Sequence, residues 1–185
     1  LYDPFIDIWL GRGYLLSGPA VLLIVVNFYV TNMRTPVLNT KSVLGLFWDD
    51  RYKAILEAVF NLVISVILAR RWGIEGIVAG TLISTLAIPF WFEPWILYRR
   101  GLHMRVREYF IRYLRYLSVT VIVGTATWLL CRMTNGDIGG FLLKALICGT
   151  VPNIGYLLVY RRTEELRLLK HVIGRMAKFL FTSPL

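Results

Sequence analysis

The sequence predicts an all-α membrane protein of about five transmembrane helices with basic amphipathic helices at the interface, and three observations carry that prediction. Five apolar stretches of near-spanning length follow one another: Tyr14–Met33, Tyr52–Ala69, Ile74–Phe92, Leu117–Cys131 and Phe141–Tyr160. A hydrocarbon core about 30 Å thick takes roughly 20 apolar helical residues, with about 17–25 tolerated. Of the 185 residues, 57% are hydrophobic, against about 45–50% in a soluble domain. The charged residues, 21 Lys and Arg and 11 Asp and Glu, fall almost entirely between the stretches.

The placement of the cations sets an orientation. Arg34, Lys41, Arg51 and Lys53 follow the first stretch, and two further Arg- and Lys-rich segments follow the third and the fifth. The remaining linkers hold only Arg12, Arg70, Arg71, Arg132 and Lys144. Cytoplasmic loops carry the excess of Lys and Arg, so the linkers after stretches one, three and five face the cytoplasm. The C-terminus is then expected inside, in a multi-pass protein of a plasma membrane. A formal charge of +10 in a soluble chain would suggest nucleic acid. Here the same charge beside apolar spans suggests anionic membrane lipids as the partner, and no nucleic acid.

Residues 3–13 read as an interfacial loop. Trp9 and Tyr14 suit the aromatic belt at a membrane boundary, and Pro19 suits a first helical turn, where a missing N–H costs little. With Leu1 rather than Met at its start, the chain is expected to lack its N-terminal part. Pro36 is expected to end or kink the first helix, and residues 42–48 to form a cytoplasmic interfacial segment. Stretches two and three are separated only by Arg70–Gly73, which demands a tight antiparallel hairpin. Gly76, Gly80 and Ser84 recur every four residues, a stripe that lets helix backbones approach closely in a membrane. Pro89 and Pro94 should kink the end of the third span.

Residues 99–116 interleave Arg105, Arg107, Arg112 and Arg115 with Tyr109, Phe110, Tyr113 and Tyr116, as in an interfacial helix on anionic lipid. The fourth span is then short, Leu117–Cys131, or begins a few residues earlier with Arg115 reaching back to the headgroups, and Thr134–Asp137 is a turn. After Tyr160, Leu166, Leu169, Ile173, Met176 and Leu180 share one helical face, and Arg167, Lys170, His171, Arg175 and Lys178 fill the other. Residues 161–185 are therefore expected to form a basic amphipathic tail on the inner leaflet.

Glu57, Asn61 and Ser65 lie on one face of the second span, and Asn27 and Thr31 on one face of the first. Such stripes either hydrogen-bond between helices or line a hydrophilic cavity. Glu93 sits at the cytoplasmic end of the third span. Cys131 and Cys148 are too few for a disulfide framework and read as free thiols packed against helices. No Ser/His/Asp set, metal-spaced cluster or phosphate loop is present. The chain is expected not to be an enzyme and to need no cofactor, which leaves transport, lipid handling or membrane scaffolding.

The run Gly45-Leu46-Phe47, Asp50-Arg51-Tyr52, Glu57 to Ser65, Trp72 to Ile77 and Gly80 to Ser84 resembles the C-terminal half of polysaccharide biosynthesis flippases. These are Wzx-type members of the multidrug/oligosaccharidyl-lipid/polysaccharide exporter superfamily. Phe5 to Gly11 resembles a loop in the same proteins, and the resemblance covers roughly residues 1–160. It implies the second lobe of a two-lobe exporter that flips an undecaprenyl-diphosphate-linked oligosaccharide across the bacterial plasma membrane, for O-antigen, capsule or exopolysaccharide synthesis. It implies lobes rocking about a cationic cavity, and polymerase and glycosyltransferase partners. Candidates for the cavity are Asn27, Arg51, Glu57, Asn61, Ser65 and Arg70. Arg51 and Arg70 either attract the diphosphate or anchor the boundary. A cation-coupled antiporter of the same superfamily, or a scaffold without transport, are the alternatives.

Overall fold

A computed structural model describes residues 2–46, 48–134, 138–164, 166–168, 171–172 and 175. The described regular structure is helical throughout. Six α-helices follow in order: α1 Tyr2–Trp9, α2 Gly18–Val43, α3 Lys53–Ala87, α4 Pro89–Ile96, α5 Val106–Arg132 and α6 Ile138–Tyr160. Three of them contain segments long and apolar enough to cross a membrane: Gly18–Val43, Val106–Arg132 and Gly139–Tyr160. Their apolar side chains point largely outward, Phe28, Ile122 and Leu158 among them. That is the surface a lipid solvent favours and water does not. The chain divides into two compact units, residues 13–115 and residues 1–12 with 116–185.

In the unit of residues 13–115, Ser17 caps α2, its hydroxyl accepting from the Ala20 N–H at 3.2 Å. Pro19 lies in the first turn, where no intrahelical donor is needed. At the far end Gly45, at φ 67, closes the helix. Its N–H reaches the Ser42 carbonyl at 3.2 Å and the Leu46 N–H reaches the Lys41 carbonyl at 3.1 Å, the paired bonds of a Schellman ending.

The helix α3 is a hairpin. Gly73, at φ 57 and ψ −130, is not helical and reverses the chain between an arm of residues 53–72 and an arm of residues 74–87. Gly76 lies against the Leu68 main chain, and a Cβ on Gly80 would stand 2.7 Å from the Ser65 Cα. The Ser65 hydroxyl donates to the Ile77 carbonyl at 3.5 Å. The two arms form a hairpin, with Gly76 and Gly80 at its close approach, and Ser84 is fully buried. The second and third apolar stretches are these two arms. Glu57, Arg70 and Arg71 in the first, and the shortness of the second, separate them from the three long apolar helices.

Ile88, at φ −114 and ψ −73, bends the chain into α4. A π-helical turn, Leu97–Gly101, follows. Ile96, Leu97 and Tyr98 are buried there, and Val37 of α2 packs on Leu97 and Tyr98.

Three expectations are narrowed or corrected. Of the two outcomes expected at Pro36, an end or a kink, the end is ruled out, since α2 runs on to Val43. Beyond it Val37 is buried in the small core and Lys41 is held by Asp50, so packing carries the helix through the proline. Hydroxyl-to-carbonyl bonds from Thr40 to Pro36 at 2.7 Å and from Ser42 to Leu38 at 3.0 Å add donors near the interruption. The second correction concerns residues 99–116. From Val106 on they are not a separate interfacial helix but the first turns of α5, continuous with the fourth apolar stretch. The aromatics at 109, 110 and 113 pack inward: Phe90 meets Phe110 and Tyr113 with ring centroids 5.6 and 5.2 Å apart. The third is that residues 2–9 are a helix, not a loop.

In the other unit, the Tyr156 hydroxyl of α6 donates to Thr120 Oγ1 of α5 at 3.1 Å. The Tyr116 and Tyr160 rings pack at a tilt of 41°, with centroids 5.4 Å apart. Most of the proposed amphipathic tail, including Leu169, Ile173, Met176 and Leu180, lies outside the described residues, as do Asn135, Gly136 and Asp137 of the expected turn.

Candidate functional site

The described residues bring together a cluster of six charged side chains at the end of α2, the start of α3 and the middle of α4. Arg34 comes from α2, about two helical turns before its end. Lys41 comes from its last turn, Asp50 from the link to α3, Lys53 and Glu57 from the first turns of α3, and Glu93 from α4. The helices meet this way because the first arm of α3 runs antiparallel to α2. The Ser17 hydroxyl donates to Glu75, just past the hairpin tip, and Arg34 reaches Glu57 near the start of the first arm.

Glu93 is the centre. Its side chain is fully buried. Arg34 donates to it twice, Nε to Oε2 at 3.0 Å and Nη2 to Oε1 at 2.7 Å. Lys53 Nζ donates to the same Oε1. Arg34 Nη1 also lies 3.5 Å from Glu57 Oε1, and Lys53 lies 3.8 Å from Glu57 Oε2 and 3.6 Å from Asp50 Oδ2. Lys41 completes the set by donating to Asp50 Oδ2. Three cations thus face three carboxylates. Burying an ionised group alone costs several kcal/mol, and mutual pairing with shared hydrogen bonds is what offsets that cost here. Asp50 Oδ1 is buried without a hydrogen-bond partner, so one acceptor of the cluster is unused. Glu57, with its side chain 26% exposed, is its most open member.

Of the residues singled out from sequence, Glu57 enters this cluster. Asn61 and Ser65 sit further along the same arm, the Ser65 hydroxyl 3.2 Å from Asn61 Oδ1 and turned to the second arm, in a packing position. Asn27 is half-buried on α2, and its Oδ1 is buried without a partner. Arg51 is exposed and stacks on both Trp48 and Tyr52, its guanidinium carbon 4.7 and 4.6 Å from the ring centroids, the arrangement of a boundary anchor. Arg70 is exposed beside the hairpin tip. A cavity of about 420 Å³ in this unit is lined by Ala87, Ile88, Trp91, Phe92, Trp95 and Val106. None of the six sequence candidates lines it.

Sequence reasoning counted Arg34, Lys41 and Lys53 only as boundary charges. The four-residue spacing of Lys53 and Glu57 was a usable local signal. The meeting of Arg34 and Glu93 was not, since 59 residues separate them. No protein-family model matches the chain, and no curated protein and no solved structure matches it.

Proposed function

We propose that the chain is one lobe of a membrane transporter that flips a diphosphate-linked oligosaccharide across the bacterial plasma membrane for polysaccharide biosynthesis. The chain threads the bilayer five times in this reading, by α2, the two arms of α3 with α4, α5 and α6, with the C-terminus in the cytoplasm. The observation that carries the reading is the buried cluster centred on Glu93. Ionised groups among membrane helices mark substrate or ion pathways more often than scaffolding. The order of motifs along the α3 hairpin supports the substrate class by resemblance.

The chemistry is exchange of partners. A diphosphate offers acceptor oxygens to Arg34 and Lys53 in place of Glu93 and Glu57, so a substrate arriving from the cytoplasmic side separates α2 from α4. Sugars and phosphate stay hydrogen-bonded in the polar path while the prenyl chain remains in lipid, which avoids the cost of bare polar groups in hydrocarbon.

The test uses the full gene in a strain deleted for its own polysaccharide flippase. Restoration of surface polysaccharide by the wild type, and its loss in Arg34→Gln at equal protein level, is the expected result. Failure of the wild type to restore it, or full activity of Arg34→Gln, overturns the reading. One observation favours a second reading: Glu57 is the most open carboxylate of the cluster and lies beside Arg34 and Lys53, within reach of a ligand or ion from outside it. Dye efflux that depends on a proton gradient and is lost in Glu57→Gln would identify an antiporter instead.

A further inference from the structure

Cys131 and Cys148 are the only cysteines of the chain, and their sulfurs lie 3.6 Å apart. Cys131 is the penultimate residue of α5 and Cys148 lies in the facing part of α6. Both are partly exposed. They line a cavity of about 400 Å³ whose other walls include Thr127 and Trp128 of α5 and Pro152 and Tyr156 of α6. At the opposite end of this cavity the helices are already tied. Tyr156 donates to Thr120 at 3.1 Å, and Gly155 lets Val123 close onto the α6 main chain, where a Cβ would meet Val123 Cγ2 at 3.0 Å. At the sulfur end the thiol contact joins the two helices.

We propose that Cys131 and Cys148 are a reversible disulfide site that staples α5 to α6 at the mouth of this cavity. A disulfide needs the sulfurs about 2.05 Å apart, so the observed pair closes by side-chain rotation and a small approach of the helix ends. The oxidant is the disulfide of an exchange carrier. The Cys131 thiolate attacks one carrier sulfur and releases the other as a thiolate. The Cys148 thiolate then attacks the Cys131 sulfur, breaks the mixed disulfide and releases the second carrier thiolate. Both thiol protons pass to the carrier, which gains two electrons as the chain loses two. On the orientation proposed above, α5 ends at the outer face, where such carriers operate; the geometry of the pair does not depend on that reading. Pro152 has no N–H for the Cys148 carbonyl, so α6 has a weak point just past the staple. Oxidation fixes the part before it, while the Gly155 and Tyr156 contacts hold the part after it.

The test uses the full chain in detergent, with diamide as oxidant and a polyethylene-glycol maleimide added after denaturation. The reduced wild type should take up two labels, the oxidised wild type none while remaining monomeric, and dithiothreitol should restore both. Cys131→Ser and Cys148→Ser should each keep one label under either condition. Oxidation should raise the thermal unfolding midpoint of the wild type by about 5 °C or more and leave both variants unchanged. Two labels after diamide, bridged dimers in place of a monomeric disulfide, or an unchanged midpoint in the oxidised wild type would each overturn the proposal.

Discussion

Arg34 and Glu93 face each other as a fork on a fork, with two parallel N–H to oxygen bonds of 3.0 and 2.7 Å across a sequence separation of 59 residues. Bidentate pairs of this kind hold direction as well as distance. Since Arg34 lies on α2 and Glu93 on α4, the pair fixes how α4 lies against α2, and Lys53 brings the start of α3 to the same carboxylate.

Breaking a buried pair by removing one partner leaves the other charge uncompensated, at a cost of about 3–5 kcal/mol, whereas removing both is far cheaper. Arg34→Met and Glu93→Leu should each lower the unfolding free energy of the detergent-solubilised chain by that order. The double variant should lose clearly less than the sum. Thermal or denaturant unfolding of the four proteins gives the cycle directly; strictly additive losses would show that the two residues do not act as a unit.

The hairpin was legible because its signals are local. Four residues separate two apolar stretches, one of them is Gly73, and Gly76 and Gly80 follow at helical spacing. Chain reversal and close backbone contact both leave traces within a few positions. The end of α2 was misread for the opposite reason. Pro36 is a strong local breaker, but Val37 and Lys41 beyond it are held by Leu97, Tyr98 and Asp50, partners that no window around the proline contains. The start of α5 was misread likewise. Its alternating Arg and Tyr matched a surface helix, yet Phe90, a residue of α4, packs on Tyr113 and Phe110. The charge cluster was half legible: Lys53 and Glu57 sit one turn apart, while Glu93 joins them only after the hairpin has brought the chain back.

Gly80 and Gly124 separate two meanings of a helical glycine. Ala at Gly80 places a Cβ 2.7 Å from the Ser65 Cα, against main chain that cannot rotate away. Gly80→Ala should therefore destabilise by about 1–3 kcal/mol, the usual cost of overpacking. Gly124 has open space where its Cβ would stand, and Gly124→Ala should be neutral or stabilising by up to about 1 kcal/mol. Unfolding midpoints of both variants in the same detergent decide it.

A single helix of 27 residues joins Arg105 to Met133, a rise of about 40 Å, enough to place its two ends on opposite sides of a bilayer. In a background of Cys131→Ser and Cys148→Ser, Arg105→Cys should react with an impermeant maleimide only after the cells are opened. Met133→Cys, at a site 84% exposed, should react in intact cells. Labelling of both from the same side would show that α5 does not cross.

Gly73 sits at φ 57 and ψ −130, far from the left-handed helical well, whose ψ is near +47. The distinction gives a sharp expectation. Asn tolerates the left-handed well and often replaces glycine at helix ends, but it has no such tolerance for the mirror-image extended region. Nothing lies within 4 Å of a Cβ built on Gly73, so a substitution there meets backbone strain and no steric clash. Gly73→Ala and Gly73→Asn should therefore cost about the same, on the order of 1–3 kcal/mol each. If Asn restored wild-type stability in a thermal melt while Ala did not, the turn would be an ordinary left-handed helix cap. The close seating of Gly76 on Leu68 would then require a different path through the tip.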